Sequence, residues 1–279
     1  MPEIAELFNL KGRVAVVTGG AGLLGTEFCR TLAEAGAQVL VADINTPAAE
    51  ALANGLNTQR RSAQPGITAL GVEVDVTSPV STRRMVEAAL DSFGRLDILV
   101  NSAALDPKFD PQHQAQHTNS FEEYSLEMWE QGLSVNLTGM FLCCQAAARP
   151  MLRQGKGVMI NICSTYGLVG PDQRIYARPG EPMRYKPVVY SVTKAGVLGL
   201  THYLATYYAS KGIRVNALTP GGVFNNHDET FLKAYSARTV LGRMAERHEM
   251  NGALLFLASD ASSYMTGANL IVDGGWTAW

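Results

Sequence analysis

Short apolar runs alternate with longer amphipathic stretches along this chain. Residues 13–17, Arg-Val-Ala-Val-Val, form the first run, followed at once by a glycine-rich loop and a helical pattern that lasts through Ala35. Gln38–Asp43 is the second run. The alternation continues with a strand over 68–74, a helix over 79–93, a strand over 96–100, a long helix over 125–154 and a strand over 158–162. A central helix is entered near Tyr190; beyond it lie a strand over 213–218, a helix over 245–258 and a last strand over 269–272. Brief, nearly continuous apolar runs suit strands buried on both faces. Helices of ten or more residues between them imply right-handed crossovers. The pattern therefore predicts an α/β fold, a doubly wound parallel sheet of about seven strands with helices on both faces. No repeat, low-complexity tract or linker divides the chain, which predicts one domain over residues 1–279.

Composition narrows the partners. With 47% hydrophobic residues among 279, the chain can bury a substantial core. Its 23 basic and 25 acidic residues leave a net charge of -2 with no basic block, so nucleic acid is not an expected partner. Apolar stretches such as Ala253-Leu-Leu-Phe-Leu-Ala258 fall well short of the ~20 residues of a membrane span, and residues 1–6 lack a signal-peptide pattern. A soluble, cytoplasmic protein is expected. Cys29, Cys143, Cys144 and Cys163 show no C-x-x-C spacing and read as small buried hydrophobes. His113 and His117 are four apart but have no acidic third ligand close by, so no metal site is expected.

The chemistry concentrates where strands end. Thr18-Gly-Gly-Ala-Gly-Leu-Leu-Gly25 lies between a strand and a helix. In that setting glycines allow a tight turn and close backbone approach, and the helix start offers unpaired N–H groups to a pyrophosphate. Gly19, Gly22, Leu23, Leu24 and Gly25 are the expected contacts. Asp43 closes the second strand, where a carboxylate accepts from adenosine ribose hydroxyls and repels a 2′-phosphate. No arginine or lysine stands in the loop or directly after Asp43, so NAD is expected over NADP, although Asp43 also reads as a cap for the helix starting near Pro47. Ligands of such sheets collect beyond the strands' carboxyl ends, where Asp75, Asn101-Ser-Ala-Ala104, Ser164 and Pro220-Gly-Gly222 fall.

Tyr190-Ser-Val-Thr-Lys194 places a phenol and an ammonium on one helical face. Lowering a tyrosine pKa from ~10 to neutrality takes roughly 3 units, or about 4 kcal/mol. One exposed lysine cannot supply this; a desolvated lysine together with an oxidised nicotinamide can.

Taken together, these residues resemble the short-chain dehydrogenase/reductase family over residues 10–275. The likeness rests on Thr18 to Gly25 as T-G-x-x-G-x-x-G, Asp75-Val76, Asn101 with Ala103, Asn136, Ser164, Tyr190-x-x-x-Lys194, Pro220-Gly221 and Asp273-Gly-Gly275, all in the family's order. The resemblance implies a Rossmann-type NAD(P)-binding domain with a catalytic tetrad of Asn136, Ser164, Tyr190 and Lys194. Tyr190 would exchange a proton with the substrate oxygen, and Ser164 would hydrogen-bond that oxygen. Lys194 would bind the nicotinamide ribose and lower the Tyr190 pKa, while Asn136 would hold a water that relays protons. Residue by residue, a structural amide is the plainer alternative for Asn136, and a strand-end cap for Ser164. The likeness also implies cofactor contacts by Asp75, Val76, Asn101, Ala103, Pro220, Gly221 and Val223, and a homotetramer or homodimer that pairs the long helices.

Several features depart from the family. The middle glycine is Gly22, where ordinary members have one at the place of Leu23; that spacing is commoner in extended members such as nucleotide-sugar epimerases. Asn225 stands where a cofactor-holding threonine is usual, and whether it substitutes is open. Two segments are long: 105–124, and 170–189 between Ser164 and Tyr190. They carry Asp106, Lys108, His113, His117, Asp172, Arg174, Tyr176, Arg178, Arg184, Tyr185 and Lys186, a polar, partly cationic set. Lengthened loops on this side set specificity. The expectation is an NAD-dependent oxidoreductase interconverting a secondary alcohol and a ketone, with a polar substrate such as a sugar or polyol, anionic or polyhydroxylated. An NAD-retaining epimerase or dehydratase, and a non-catalytic NAD-binding regulator, are the alternatives. Trp276 and Trp279 in the C-terminal tail read either as packing anchors or as a cover for a neighbour's site.

Overall fold

The computed structural model describes residues 3–60, 68–106 and 119–279. Its strands are β1 (Val14–Thr18), β2 (Gln38–Asp43), β3 (Ala69–Glu73), β4 (Ile98–Asn101), β5 (Gly157–Ile162), β6 (Ile213–Pro220) and β7 (Asn269–Val272). All pair in parallel, in the order β3-β2-β1-β4-β5-β6-β7. The helices are α1 (Ile4–Leu7), α2 (Leu23–Glu34), α3 (Thr46–Arg60), α4 (Pro79–Phe93), α5 (Leu126–Leu133), α6 (Gly139–Gln154), α7 (Val188–Tyr207), α8 (Glu229–Ser236) and α9 (Asn251–Ala258).

Alternation along the strands separates two cores. Val14, Val16, Leu40, Leu99 and Met159 pack with α4, α6 and α7, whereas Ala15, Val17, Val39, Ile98 and Ile160 pack with α2, α3 and α9. The sheet is thus buried on both faces, which is why its strands read as continuous apolar runs. Chain order reverses between β1 and β4, opening a crevice at their carboxyl ends, the expected place for a ligand.

Three stretches differ from the sequence expectation. The long helix is interrupted by a π-helical turn over Ser134–Thr138. The helix expected from Ala245 is a 3₁₀ turn, Arg247–Met250, before α9 begins. A helix absent from the expectation, α8, starts on an Asp228 side-chain cap to the Phe231 N–H.

Candidate active site

The loop after β1 is built around close approach. A Cβ on Gly25 would lie 2.0 Å from the Gly19 carbonyl oxygen, so any side chain there pushes the first turn of α2 off the loop. No side chain caps that helix at Gly22, and its leading N–H groups suit an anionic ligand. Asp43 Oδ2 accepts from the Ala21 N–H (3.0 Å) and Oδ1 from the Asn45 N–H (2.9 Å). Asn45 accepts from the Ala48 N–H through its side chain. The α3 start is therefore capped by Asn45, and Asp43 instead ties β2 to the glycine loop.

The neighbouring strand ends meet this loop. Thr18 Oγ1 accepts from the Ser102 and Ala103 N–H groups (3.2 and 3.3 Å), joining the ends of β1 and β4. A Cβ on Gly221 would meet the Asp273 Cα at 2.7 Å, so Pro220-Gly221 and Asp273-Gly-Gly275 pack backbone to backbone. A cavity of about 680 Å³ runs along these ends; Gly19, Gly22, Leu23, Leu24, Gly25, Asp43, Asp75, Val76, Ala103, Pro220, Gly221 and Val223 line it. Its far end holds Ser164, Tyr190 and Lys194. The volume falls within the range of cofactor and ligand pockets, and the glycine cradle with a carboxylate beside it fits a dinucleotide.

Asn101, expected at the cofactor, lies elsewhere. Its Nδ2 donates to Asn161 Oδ1 (2.8 Å) within the core, and Asn161 Nδ2 donates to Thr201 Oγ1 (3.0 Å) on α7. Through these two bonds the Asn101 side chain ties β4 and β5 to α7, while its own buried Oδ1 has no partner among the described residues. Asn136 sits on the π turn. Its Oδ1 accepts from the Leu105 N–H (2.6 Å), and its Nδ2 donates to the Leu105 carbonyl (3.0 Å) and to Thr193 Oγ1 (3.3 Å). The side chain thereby holds the stretch after β4 against α7. Asn225 also lies off the cavity, its Oδ1 accepting from Arg247 (3.3 Å).

Tyr190 and Lys194 lie one turn apart near the start of α7. A Cβ on Gly167 would lie 2.6 Å from the Lys194 carbonyl carbon, so the turn after Ser164 and α7 approach this closely only with glycine there. Lys194 is 4% exposed, and its Nζ donates to the Ile162 carbonyl (2.9 Å). The same Nζ lies 5.8 Å from the centre of the Tyr190 ring. Burial raises the Tyr190 pKa and the Asp106 charge adds to this, while a hydrogen bond with Ser164 opposes both. The protein alone therefore keeps the phenol protonated.

Burial lowers the Lys194 pKa from 10.5 to about 8, with Cys163 and Asp106 opposing. Between those values the unfolded chain holds a proton that the folded chain has lost, so this residue's contribution to stability rises with pH across the window. The buried thiols of Cys29, Cys143 and Cys144, whose pKa values burial raises, act in the other direction. Comparison with Lys194→Met isolates the lysine. Denaturant unfolding should show the stability difference moving toward the unaltered protein by about 3 kcal/mol between pH 8 and 10.5. A flat difference would contradict the desolvation of this ammonium.

The substrate end is more aromatic than the loop composition implied. Tyr166, Tyr176, His227, Phe231 and Tyr235 line it, with Leu105, Asp106, Lys186 and Met244. The Tyr176 hydroxyl donates to that of Tyr166 (3.1 Å). The lengthened loop's cations are largely paired away from the cavity: Arg174 with Asp172 (2.8 Å), Arg178 with Asp228 (2.6 Å), and Arg184 with Glu181. Lys186 does line it, but is paired with Asp106. Lys108, His113 and His117 lie outside the described residues. Trp276 is 2% exposed and stacks on Tyr235 with ring centres 4.2 Å apart, a packing anchor beneath the cavity wall, whereas Trp279 is exposed. His227, Phe231 and Tyr235 were missed from the sequence; the Asp228 cap and the apolar spacing of Phe231 and Tyr235 mark a short helix there, though nothing local aims it at the cavity.

The chain is similar to known proteins along nearly its whole length. A family model described as enoyl-(acyl carrier protein) reductase matches residues 20–277. The D-threitol dehydrogenase of Mycolicibacterium smegmatis is 34% identical over 275 residues, covering 97% of this chain and 95% of that protein. The cis-4-hydroxycyclohexanecarboxylate dehydrogenase of Sinomonas cyclohexanicum is 36% identical over 276 residues, covering 95% and 97%. A solved gluconate 5-dehydrogenase from Burkholderia cenocepacia J2315, in complex with NADP and tartrate, superposes with a TM-score of 0.84 at 31% identity, covering 99% of this chain and all of that one. The chain is an oxidoreductase acting on CH–OH groups and belongs to the short-chain dehydrogenase/reductase family.

Proposed function

We propose that the protein is an NAD-dependent dehydrogenase of polar secondary alcohols, with Tyr190 as its acid/base group. The observation that carries this is the continuity of one cavity from the glycine loop and Asp43 to Ser164, Tyr190 and Lys194. Bound NAD supplies the carbon that takes or gives hydride. The chain's part is to handle the proton and hold the reacting oxygen. Tyr190 takes the hydroxyl proton as the alcohol is oxidised, Ser164 hydrogen-bonds the same oxygen, and Lys194 favours the charged phenol. Asn136 acts by holding the Leu105 backbone against α7, and Asn101 by bracing the sheet beneath the site.

Asp43 supports NAD over NADP. Its carboxylate is fixed by two backbone N–H groups at the adenosine end of the cavity, where a 2′-phosphate would meet like charge. An Asp43→Ala variant should shift the NADP-to-NAD ratio of kcat/KM toward NADP by at least about tenfold. An unaltered protein that already prefers NADP would remove this assignment, and the NADP-bound gluconate 5-dehydrogenase makes that test pointed.

The substrate reading favours a polyhydroxylated compound over an anion, because the loop arginines are neutralised by carboxylates. Tyrosine hydroxyls above aromatic faces suit a compound with hydroxyls on one side and C–H groups on the other. Assay against polyols, sugars and cyclic alcohols, followed by reduced-nicotinamide absorbance, decides it. Turnover of apolar alcohols alone would overturn the polar substrate, and product without any absorbance change would indicate an epimerase or dehydratase.

We further propose that the chain is one cytoplasmic domain that assembles as a homo-oligomer through α6 and α7. Those helices and the π turn leave a groove lined by Leu137, Phe141, Gly196, Gly199, Leu200 and Tyr203, with Phe141 and Tyr203 46% and 62% exposed. A monomeric mass in sedimentation would exclude assembly. Among the described residues, no helix is long and apolar enough to cross a membrane.

A further inference from the structure

Two charged residues beside Tyr190 have no part in the proton transfer described above. Asp106 lies on the stretch after β4 and Lys186 on the segment leading into α7, and their Nζ–Oδ1 distance is 2.5 Å. The Lys186 Nζ stands 4.1 Å from the centre of the Tyr190 ring, nearer than the 5.8 Å of Lys194. Its side chain is 13% exposed against 50% for Asp106, so the ammonium is on the inside of the pair, against the phenol. The placement is built in. The Lys186 N–H donates to Gln173 Oε1 (2.9 Å), and Pro187, which follows at the N-terminal boundary of α7, restricts its backbone.

We propose that the Asp106–Lys186 ion pair is an electrostatic counterpoise on Tyr190, in which Lys186 draws the phenol proton away, Asp106 holds it on, and their balance sets the working pH. The proposal rests on the reading of Tyr190 as the acid/base group.

The physical argument concerns what each charge does when its partner is removed. A cation against an aromatic face interacts with charge that develops on the ring. Asp106, the more exposed member of the pair, acts on Tyr190 in the opposite direction and cancels it. The other groups facing Tyr190 are Lys194 on its own helix, Cys163, Ser164 and Tyr166 after β5, and Tyr176 in the 3₁₀ turn Gln173–Tyr176. Among the described residues, only the ion pair brings opposite full charges from two separate segments. In support, the Asp106 charge favours the protonated forms of Tyr166, Tyr176, Tyr190 and Lys194 together, and that of Lys186 opposes Lys194 protonation. An exposed ion pair contributes little to stability. The value of this one lies in its position.

The test needs no substrate. Tyrosinate absorbance is titrated in the NAD-saturated protein, with Tyr190→Phe treated identically as the blank that isolates Tyr190. The Lys186→Gln variant should raise the Tyr190 midpoint by about one unit and Asp106→Asn should lower it by a similar amount. The double variant should return close to the unaltered protein, a cancellation that loss of a structural contact does not produce. Near-ultraviolet circular dichroism checks that each variant keeps its packing. Single-variant midpoints on the same side of the unaltered one overturn the proposal. So does the absence of any difference among the four proteins, whether the midpoints coincide or none is reached. Failure of the acid/base reading itself is seen separately, as turnover that survives in Tyr190→Phe.

Discussion

Replacing Tyr190 by phenylalanine is expected to lower turnover by about 10²- to 10⁴-fold, the usual loss when a positioned acid/base group is removed. NAD affinity should change little. The substitution deletes one oxygen and keeps the ring, so the packing that Lys186 and Lys194 make against the ring persists. What is lost is, among the described residues, the one group at this end of the cavity that both hydrogen-bonds with Ser164 and can take a proton from the reacting hydroxyl. Dissociation constants from nicotinamide fluorescence, set beside steady-state rates, separate the two effects. A variant that keeps its turnover would exclude Tyr190 from the chemistry, and one that loses NAD binding in proportion would show a structural residue.

Lys194→Ala has the second largest expected effect, and it should strike both measurements. Hydrogen bonds from a charged donor are worth more than neutral ones, so loss of the ammonium should weaken NAD binding on the order of 10- to 100-fold. Turnover at saturating NAD should also fall, because burial keeps Tyr190 protonated and a nearby cation is needed to offset that. The pH dependence has a definite sign. Lys194 loses its proton near pH 8 in the protein alone, so NAD affinity should decline above that value in the unaltered protein and stay level in the variant. An affinity independent of pH through this range in the unaltered protein would contradict an ionised Lys194 at the cofactor.

Local chemistry was enough to place much of this fold. The α4 limits, Pro79–Phe93, follow from proline at the first turn, a Ser78 cap and Gly94 in the left-handed region at φ 78°, signals that act within a few residues. The β2 and β7 limits were equally legible, since both are short apolar runs bounded by polar or glycine-containing turns. The glycine loop, Asp43, Ser164, Tyr190 and Lys194 could be located because each sits at a strand end or on a helical face that spacing identifies. Their appearance along one cavity follows from a sheet that gathers strand ends on one side.

What the sequence could not decide depends on partners far away along the chain. Asn101 and Asn136 look alike as polar residues beside the site, but one amide turns into the core, where its Nδ2 pairs with Asn161 while its Oδ1 has no partner among the described residues, and the other onto the Leu105 backbone. The π turn that carries Asn136 has no local marker in a run that otherwise reads as helix. The loop after Ser164 reads as partly cationic in sequence, but its own Asp172 and Glu181 pair with Arg174 and Arg184, and only folding brings Asp228 to Arg178 and Asp106 to Lys186. Most strands and helices were set by neighbours in sequence and could be read there, whereas the π turn, α8 and the 3₁₀ turn before α9 were not. Hydrogen bonds and ion pairs between distant segments exist only once the chain has folded, and they determined which residues face the reaction and with what charge.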